Sequence, residues 1–272
     1  MPKYLPFAGK NAIAEMNIGV QFATPLEQII AQSAEGVKTE FANEFPKFEP
    51  LQMFTINFGM PQVSAQSYGG APVLSGFNLT KPKSDGSPAR VLRLVSNTLS
   101  VHFLEYTSWQ ETKAQAISYI ARCLEKLPFL DRNPITAVLL RYIDRFTFDG
   151  VPQEATASIL FRPGTKFVAS RILGAGYQWH SNSGWFEPLI GATLVLNQLN
   201  VSSGIIQGAS AVIVDHNSAY TLPKPYASVG ELKQGEGGGS LEAILDGQHR
   251  ANEDMLKNLL NQEMLDTIGL KG

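Results

Sequence analysis

The sequence predicts an α+β protein: mostly antiparallel sheet with packed helices. Three observations predict it. Period-two runs cluster at about 51–105 and 135–215 instead of alternating one for one with helices, which disfavours a doubly wound parallel sheet. Helix starts announce themselves as capping boxes at Thr24-Pro25-Leu26-Glu27 and Ser108-Trp109-Gln110-Glu111. Turn-rich stretches such as Lys81-Pro82-Lys83-Ser84-Asp85-Gly86 separate the strand runs. The order strand, helix, strands, helix, strands, helix leaves open a duplicated strands-then-helix arrangement (51–127 and 135–268), although no residue-level repeat accompanies it.

The first strand is expected over 13–22, where Met16, Ile18, Val20 and Phe22 alternate with Glu15, Asn17, Gly19 and Gln21. Thr24 is positioned to cap a helix carrying Leu26, Ile29, Ile30, Val37, Phe41 and Phe45, which Pro46 stops. Gln52, Phe54, Ile56 and Phe58 share a strand face, a Gly/Pro/Ser loop covers 59–72, and a further strand lies near 73–80. Segments 90–96 and 99–105 form a hairpin around Asn97-Thr98. The Ser108 box opens a helix with Ile117, Ile120, Ala121 and Leu124 on one stripe, ending before Pro128.

The longest strand is expected over 135–148. One face carries Val138, Leu140, Tyr142, Asp144, Phe146 and Phe148, and the other Leu139, Arg141, Ile143 and Arg145. A short helix is expected at 153–162. The Gly-, Ser- and Trp-rich stretch 174–191 is read as an irregular loop, and 193–201 and 205–215 as paired strands. A Gly-rich flexible linker at 235–240 leads to a helix with Leu241, Ile244, Leu245, Met255, Leu256 and Leu259 as its apolar set, broken in its polar middle at 247–254. A last turn stops at Gly269. The division that follows is 1–130, an α+β half; 131–234, a β-rich half; the linker; and a C-terminal helix at 241–272. One continuous domain is the alternative.

The 272 residues include 22 Lys+Arg against 24 Asp+Glu, a net charge of −2. That balance argues against a nucleic-acid binder that relies on bulk charge. No apolar run reaches the length of a membrane span, and residues 1–6 lack a signal-peptide core, so a cytoplasmic protein is expected. The single cysteine, Cys123, excludes an intrachain disulfide framework and is expected to be inert core. No nucleotide, metalloprotease or nucleophile-elbow signature is present, so no cofactor, metal or catalytic residue is assigned.

Two groups of candidate binding residues stand out. Arg141 and Arg145 share a strand face and could fork onto an anion, with Tyr142 and Asp144 on the opposite face. A buried network in which these charges pair internally is the competing reading. Trp179, His180, Trp185 and Phe186 in the expected loop, with His249 on the last helix, are candidates for partner binding. His102 reads as a sheet-face histidine and Asp215-His216 as a strand end, while Asp246 and His249 are spaced to share a helix face.

Ala12-Ile13-Ala14-Glu15, Tyr106-Thr107-Ser108-Trp109, Arg141-Tyr142-Ile143-Asp144-Arg145 and His249 occur in an order that resembles a sporadically distributed, uncharacterised bacterial and archaeal family. Its members share A-I-x-E, Y-x-x-W and R-Y-I-[ND]-R motifs and a histidine-bearing C-terminal helix. Asp144 stands where that family usually has Asn. The resemblance implies a soluble α+β protein of this length and no established activity. It also implies an association with mobile elements and defence genes.

Together these features point first to a non-enzymatic binding or adaptor protein, working with a protein partner or as a homo-oligomer in a defence or toxin–antitoxin-like system. The alternative is a sensor or enzyme for a small anionic or nucleotide-like ligand held by Arg141 and Arg145. A chaperone-like module is a further alternative.

Overall fold

The computed structural model describes residues 3–53, 73–127, 132–235 and 239–270. Among these residues ten strands form one sheet: β1 (Lys3–Pro6), β2 (Ile13–Phe22), β3 (Lys47–Met53), β4 (Val73–Pro82), β5 (Pro88–Val95), β6 (Thr98–Phe103), β7 (Ile135–Asp149), β8 (Trp179–Ile190), β9 (Thr193–Ile206) and β10 (Ala209–Tyr226). Their order is β3-β4-β5-β6-β2-β7-β10-β9-β8, with β1 paired to the C-terminal end of β7 (Phe146–Asp149), beyond the residues that β2 pairs, and every pairing is antiparallel. The helices are α1 (Glu27–Phe41), α2 (Trp109–Leu124), α3 (Ser170–Leu173), α4 (Val229–Gln234), α5 (Leu241–Leu259) and α6 (Gln262–Thr267). This is the α+β architecture that the clustering of period-two runs predicts.

Helices α1, α2 and α5 cover one face of the sheet, where Met16, Ile18, Val20, Val138, Leu140 and Tyr142 meet Ile30, Ile120 and Leu245 in one core. The other face carries the polar side chains of the alternation, among them Glu15, Asn17, His102, Arg141 and Asp215. The centre of the sheet is the antiparallel pair β2–β7, which joins the two halves of the chain.

Several expected elements differ. Leu26, not Thr24, occupies the N-cap of α1, and no side chain caps it. Thr24 is held instead by Asn133, whose side chain both accepts from and donates to its backbone (2.9 Å each), while Leu26 is buried in the core. The helix ends at Phe41, and a turn precedes Pro46. The hairpin turn falls on Ser96-Asn97, one residue early, because Ser96 adopts φ 53° and Val95 pairs with Thr98. Phe54, Ile56, Phe58, the expected loop at 59–72 and Pro128 lie outside the described residues. Residues 152–159 form two 3-10 turns rather than a helix.

The largest correction concerns 174–191. Most of it is β8, a regular edge strand, in which Trp179 and Trp185 turn inward while His180 and Phe186 face out. Pro188 fits there because an edge strand has one side with no ladder to donate to. Asp215-His216 is not a strand end either, since β10 continues to Tyr226. Helix α5 is unbroken through 247–254. One side of its polar middle is buried, with Gly247, Gln248 and Asn252: Gln248 donates to the carbonyls of Val138 (3.2 Å) and Ser218 (2.9 Å), and Gly247 lets Leu189 pack close. A polar stretch inside an apolar stripe thus reflects a helix lying over sheet groups that need partners. Leu241, Ile244, Leu245, Met255 and Leu259 of the same helix are core residues of this chain.

Ser108 caps α2 as expected, accepting from Glu111 N at 3.3 Å. Gly269 ends the last turn with φ 74°. Cys123 is fully buried, and burial pushes its thiol up to about 12. No helix among the described residues is long and apolar enough to cross a membrane.

Candidate functional site

Strand β7 places its even-numbered side chains under the helices, and Tyr142 and Asp144 fall in that set among apolar neighbours. A cleft of about 320 Å³ opens over them. Helix α5 forms one wall with His249, Asn252, Glu253 and Leu256, which the helical period puts on one side. Tyr106 and Thr107, just ahead of α2, form another. Lys10, Asn11 and Ile13 close the third side, and Ile268 and Leu270 add an apolar rim. A bulge at Ala14 sets Ile13 opposite Asp144 while Glu15 keeps its place opposite Ile143.

Asp144 is 1% exposed, and its Oδ2 has no hydrogen-bond partner. Burial raises its carboxyl to about 7. Buried carboxylates are ordinarily paired or hydrogen-bonded. An unpartnered one on the wall of a cleft is therefore a chemical anomaly.

Tyr142 lies beside it, with its hydroxyl 2.8 Å from His249 Nδ1. Burial holds the Tyr142 phenol well above its usual range, so it keeps its proton and can donate to Nδ1 when that nitrogen is the unprotonated one. In that tautomer the Nε2–H of a neutral His249 faces Glu253 Oε1 at 3.4 Å. Burial lowers His249, against the opposing pull of Glu253 and Asp246, which agrees with the neutral form. The Tyr106 phenol is pushed up to about 12, first by burial and then by Glu253 and Asp144. Four proton-bearing groups thus surround one small space.

Behind the cleft, Trp109 stacks on His249 with ring centres 4.2 Å apart, and its Nε1 donates to Asp246 at 2.7 Å. Asp246 and Glu242 also receive the buried ammonium of Lys113 (2.9 and 2.8 Å). Asp246 and His249 therefore meet the same indole, as their spacing allows. On the other side, His216 lies between Asn252 Oδ1 (2.9 Å) and Asn197 Oδ1 (3.2 Å), and Trp185 stacks on it at 5.7 Å. Burial lowers His216.

The expected site residues separate accordingly. Tyr142, Asp144 and His249 come together in the cleft. Arg141 is on the opposite sheet face, where its Nε and Nη2 both donate to Asp215 at 2.7 Å, so the fork expected for an anion is already occupied. Arg145 lies over the Phe7 ring at 4.1 Å. Trp185 and Trp179 pack inward against Phe167 and Phe161, and His180 and Phe186 face out. His102 bonds Glu15 Oε1 at 2.7 Å, which holds that carboxyl below its usual range. Arg141→Ala is expected to cost about 1 kcal/mol at pH 7, as a partly exposed pair does. Denaturant titration in low and high salt checks this, since screening should shrink the difference.

Lys113, Asn252 and Glu253 were not singled out in the sequence. The available signal was the polar pair Gln248 and Asn252, four residues apart on the apolar stripe of α5. Among the described residues no group of three or more His, Cys, Asp or Glu side chains is placed to hold a metal ion. Comparison with protein-family models, curated proteins and solved structures finds no match.

Proposed function

We propose that this protein binds a small organic molecule in the cleft over Tyr142 and Asp144, with binding coupled to a proton change at the site. The observation that carries this is Asp144 Oδ2, a buried carboxylate oxygen without a partner at the wall of a 320 Å³ space. Such a volume lies at the small end of ligand pockets, and convergent polar groups on mostly apolar walls are what those pockets show. This is the sensor-or-enzyme alternative, with its site moved from the Arg141/Arg145 face to the opposite face of β7. A carboxyl near 7 beside a neutral imidazole is in the range used for general acid–base chemistry. Thr107→Trp tests the reading, because Thr107 is exposed and lines the cleft, so the indole fills it without disturbing the core. Small-molecule fragments that bind the natural chain by saturation-transfer NMR are expected to lose binding to T107W. Hits that all survive would place binding elsewhere and sink the proposal.

A second reading, a protein-docking face, has one observation in its favour. Phe186 is 66% exposed and sits opposite Leu196 on the uncovered sheet face, with exposed Leu194 beside them. This keeps part of the adaptor expectation, on β8 and β9 instead of a loop. The two halves also share an order of strand, helical connection, antiparallel meander and helix, with the last meander strand beside the first strand (β6 on β2, β10 on β7). We read that order as supporting an ancient duplication.

A further inference from the structure

We propose that the occupant of this cleft is a small organic cation, an amine with an apolar body, whose ammonium meets Asp144. The inference rests on the ligand-site reading above and names the ligand's class. The formal charges facing the cleft decide it. From β7 comes the Asp144 carboxyl with its unpartnered Oδ2. From α5 come Glu253, one-third exposed, and His249, which is neutral while it accepts from Tyr142. The 104–108 segment contributes the Tyr106 phenol, and the loop between β1 and β2 contributes Lys10, an exposed residue at the mouth. The two guanidinium groups of β7, Arg141 and Arg145, lie on the far side of the sheet and are engaged there by Asp215 and Phe7. Lys113 is taken up by Asp246 and Glu242. Among the described residues the cleft therefore offers carboxylates and hydroxyls, with Lys10 at the rim.

An anion seated there would face Glu253 and force Asp144 to stay protonated. A neutral hydrogen-bond donor would satisfy Oδ2 but leave the Glu253 charge unanswered. An ammonium answers Oδ2 with a charged donor and is attracted by Glu253 as well, while Leu256, Ile268 and Leu270 bury the hydrocarbon and the tyrosine rings suit a cation. Binding a cation favours the ionised carboxyl, so affinity and the Asp144 proton are linked.

The test is calorimetric titration of the full chain with 2-phenylethylamine, its neutral counterpart 2-phenylethanol and its anionic counterpart 3-phenylpropanoate, between pH 5 and 8. The expected result is saturable binding of the amine. It should tighten by up to about tenfold per pH unit below 7 and level off above, with the anion failing to bind. Asp144→Asn should remove most of that pH dependence and weaken the amine at pH 8 by at least about tenfold. Protonation of His249 at low pH opposes a cation in the same direction, so any slope left in D144N belongs to His249. If the alcohol or the carboxylate binds at least as well as the amine, or the amine's affinity is flat with pH, the cation assignment is overturned and the cleft remains a ligand site. If none of the three binds, while unrelated fragments still bind and are lost in T107W, the cation assignment alone fails. If fragments survive T107W, the ligand-site reading fails with it.

Discussion

Asp144→Asn is expected to make the protein more stable at pH 8, by about 2–4 kcal/mol. The carboxyl titrates near 7 in the folded protein against an ordinary value of 3.8, and each unit corresponds to about 1.4 kcal/mol. The sign follows from proton binding. Between about pH 4 and 7 the folded chain holds this proton and the unfolded chain does not, so stability falls as pH rises through that window and stays low above it. Asparagine fills nearly the same space without the charge, so its advantage should be full at pH 8 and vanish near pH 4. Urea denaturation of both chains at the two pH values measures it. A variant less stable than the natural chain at pH 8 would mean that Asp144 is held by interactions that need its charge, and the case for a retained functional carboxylate would fail. The gain has a functional counterpart: a residue whose replacement by a neutral isostere stabilises the fold is one that folding alone does not require.

That anomaly was visible in the sequence, and its setting was not. The alternation along 135–148 puts Asp144 in line with Val138, Leu140, Tyr142, Phe146 and Phe148, and all of these side chains are buried. A charge in an apolar file needs no alignment to be noticed. What faces it comes from Tyr106 and from α5, about a hundred residues further along, and only the register of the sheet and the seat of the helix bring them together. Arg141 shows the same limit. Its partner Asp215 stands on the neighbouring strand opposite Ile143, a placement fixed by β10 pairing with β7. Without that register, two arginines on one face resemble an anion site. The sequence hides strand β8 because Asn182, Gly184 and Pro188 are poor strand formers, and its inward serines break the expected hydrophobic alternation. As an edge strand covered by Phe161, Phe167 and His216 through its two tryptophans, it needs little propensity of its own. Helix α5 reads as broken in the sequence for the converse reason. Gln248 and Asn252 look solvent-facing in a list of residues, yet both are buried because the sheet beneath presents the carbonyls of Val138 and Ser218 and the imidazole of His216.

Trp109→Ala is expected to be the most damaging single change near the cleft, costing about 3–5 kcal/mol. The indole is 8% exposed, donates to Asp246, stacks on His249 and lies under the Lys113 ammonium, so one side chain joins α2 to α5. Phenylalanine at the same position separates the terms. It keeps an aromatic face for His249 and loses the Nε1–H bond to Asp246, which should cost about 1.5–3 kcal/mol because the acceptor is charged. The difference between the two variants, measured by urea denaturation at pH 7, belongs to packing. A second readout concerns the cleft itself. Burial is the main reason His249 sits below its usual value, and Trp109 supplies one whole face of that burial. Trp109→Ala should therefore raise the His249 midpoint toward that of an exposed imidazole, whereas Trp109→Phe should move it less. An NMR titration of the His249 ring protons reads this directly. A protonated His249 can no longer accept from Tyr142, so that hydroxyl loses its fixed direction and the cleft gains a positive charge beside Asp144. Removing a tryptophan that no ligand need touch should thus weaken binding of a cation below about pH 6.5 more than above it. An unchanged His249 midpoint in the alanine variant would show that the indole acts only as filler, and the coupling between the α2–α5 junction and the site would have to be abandoned.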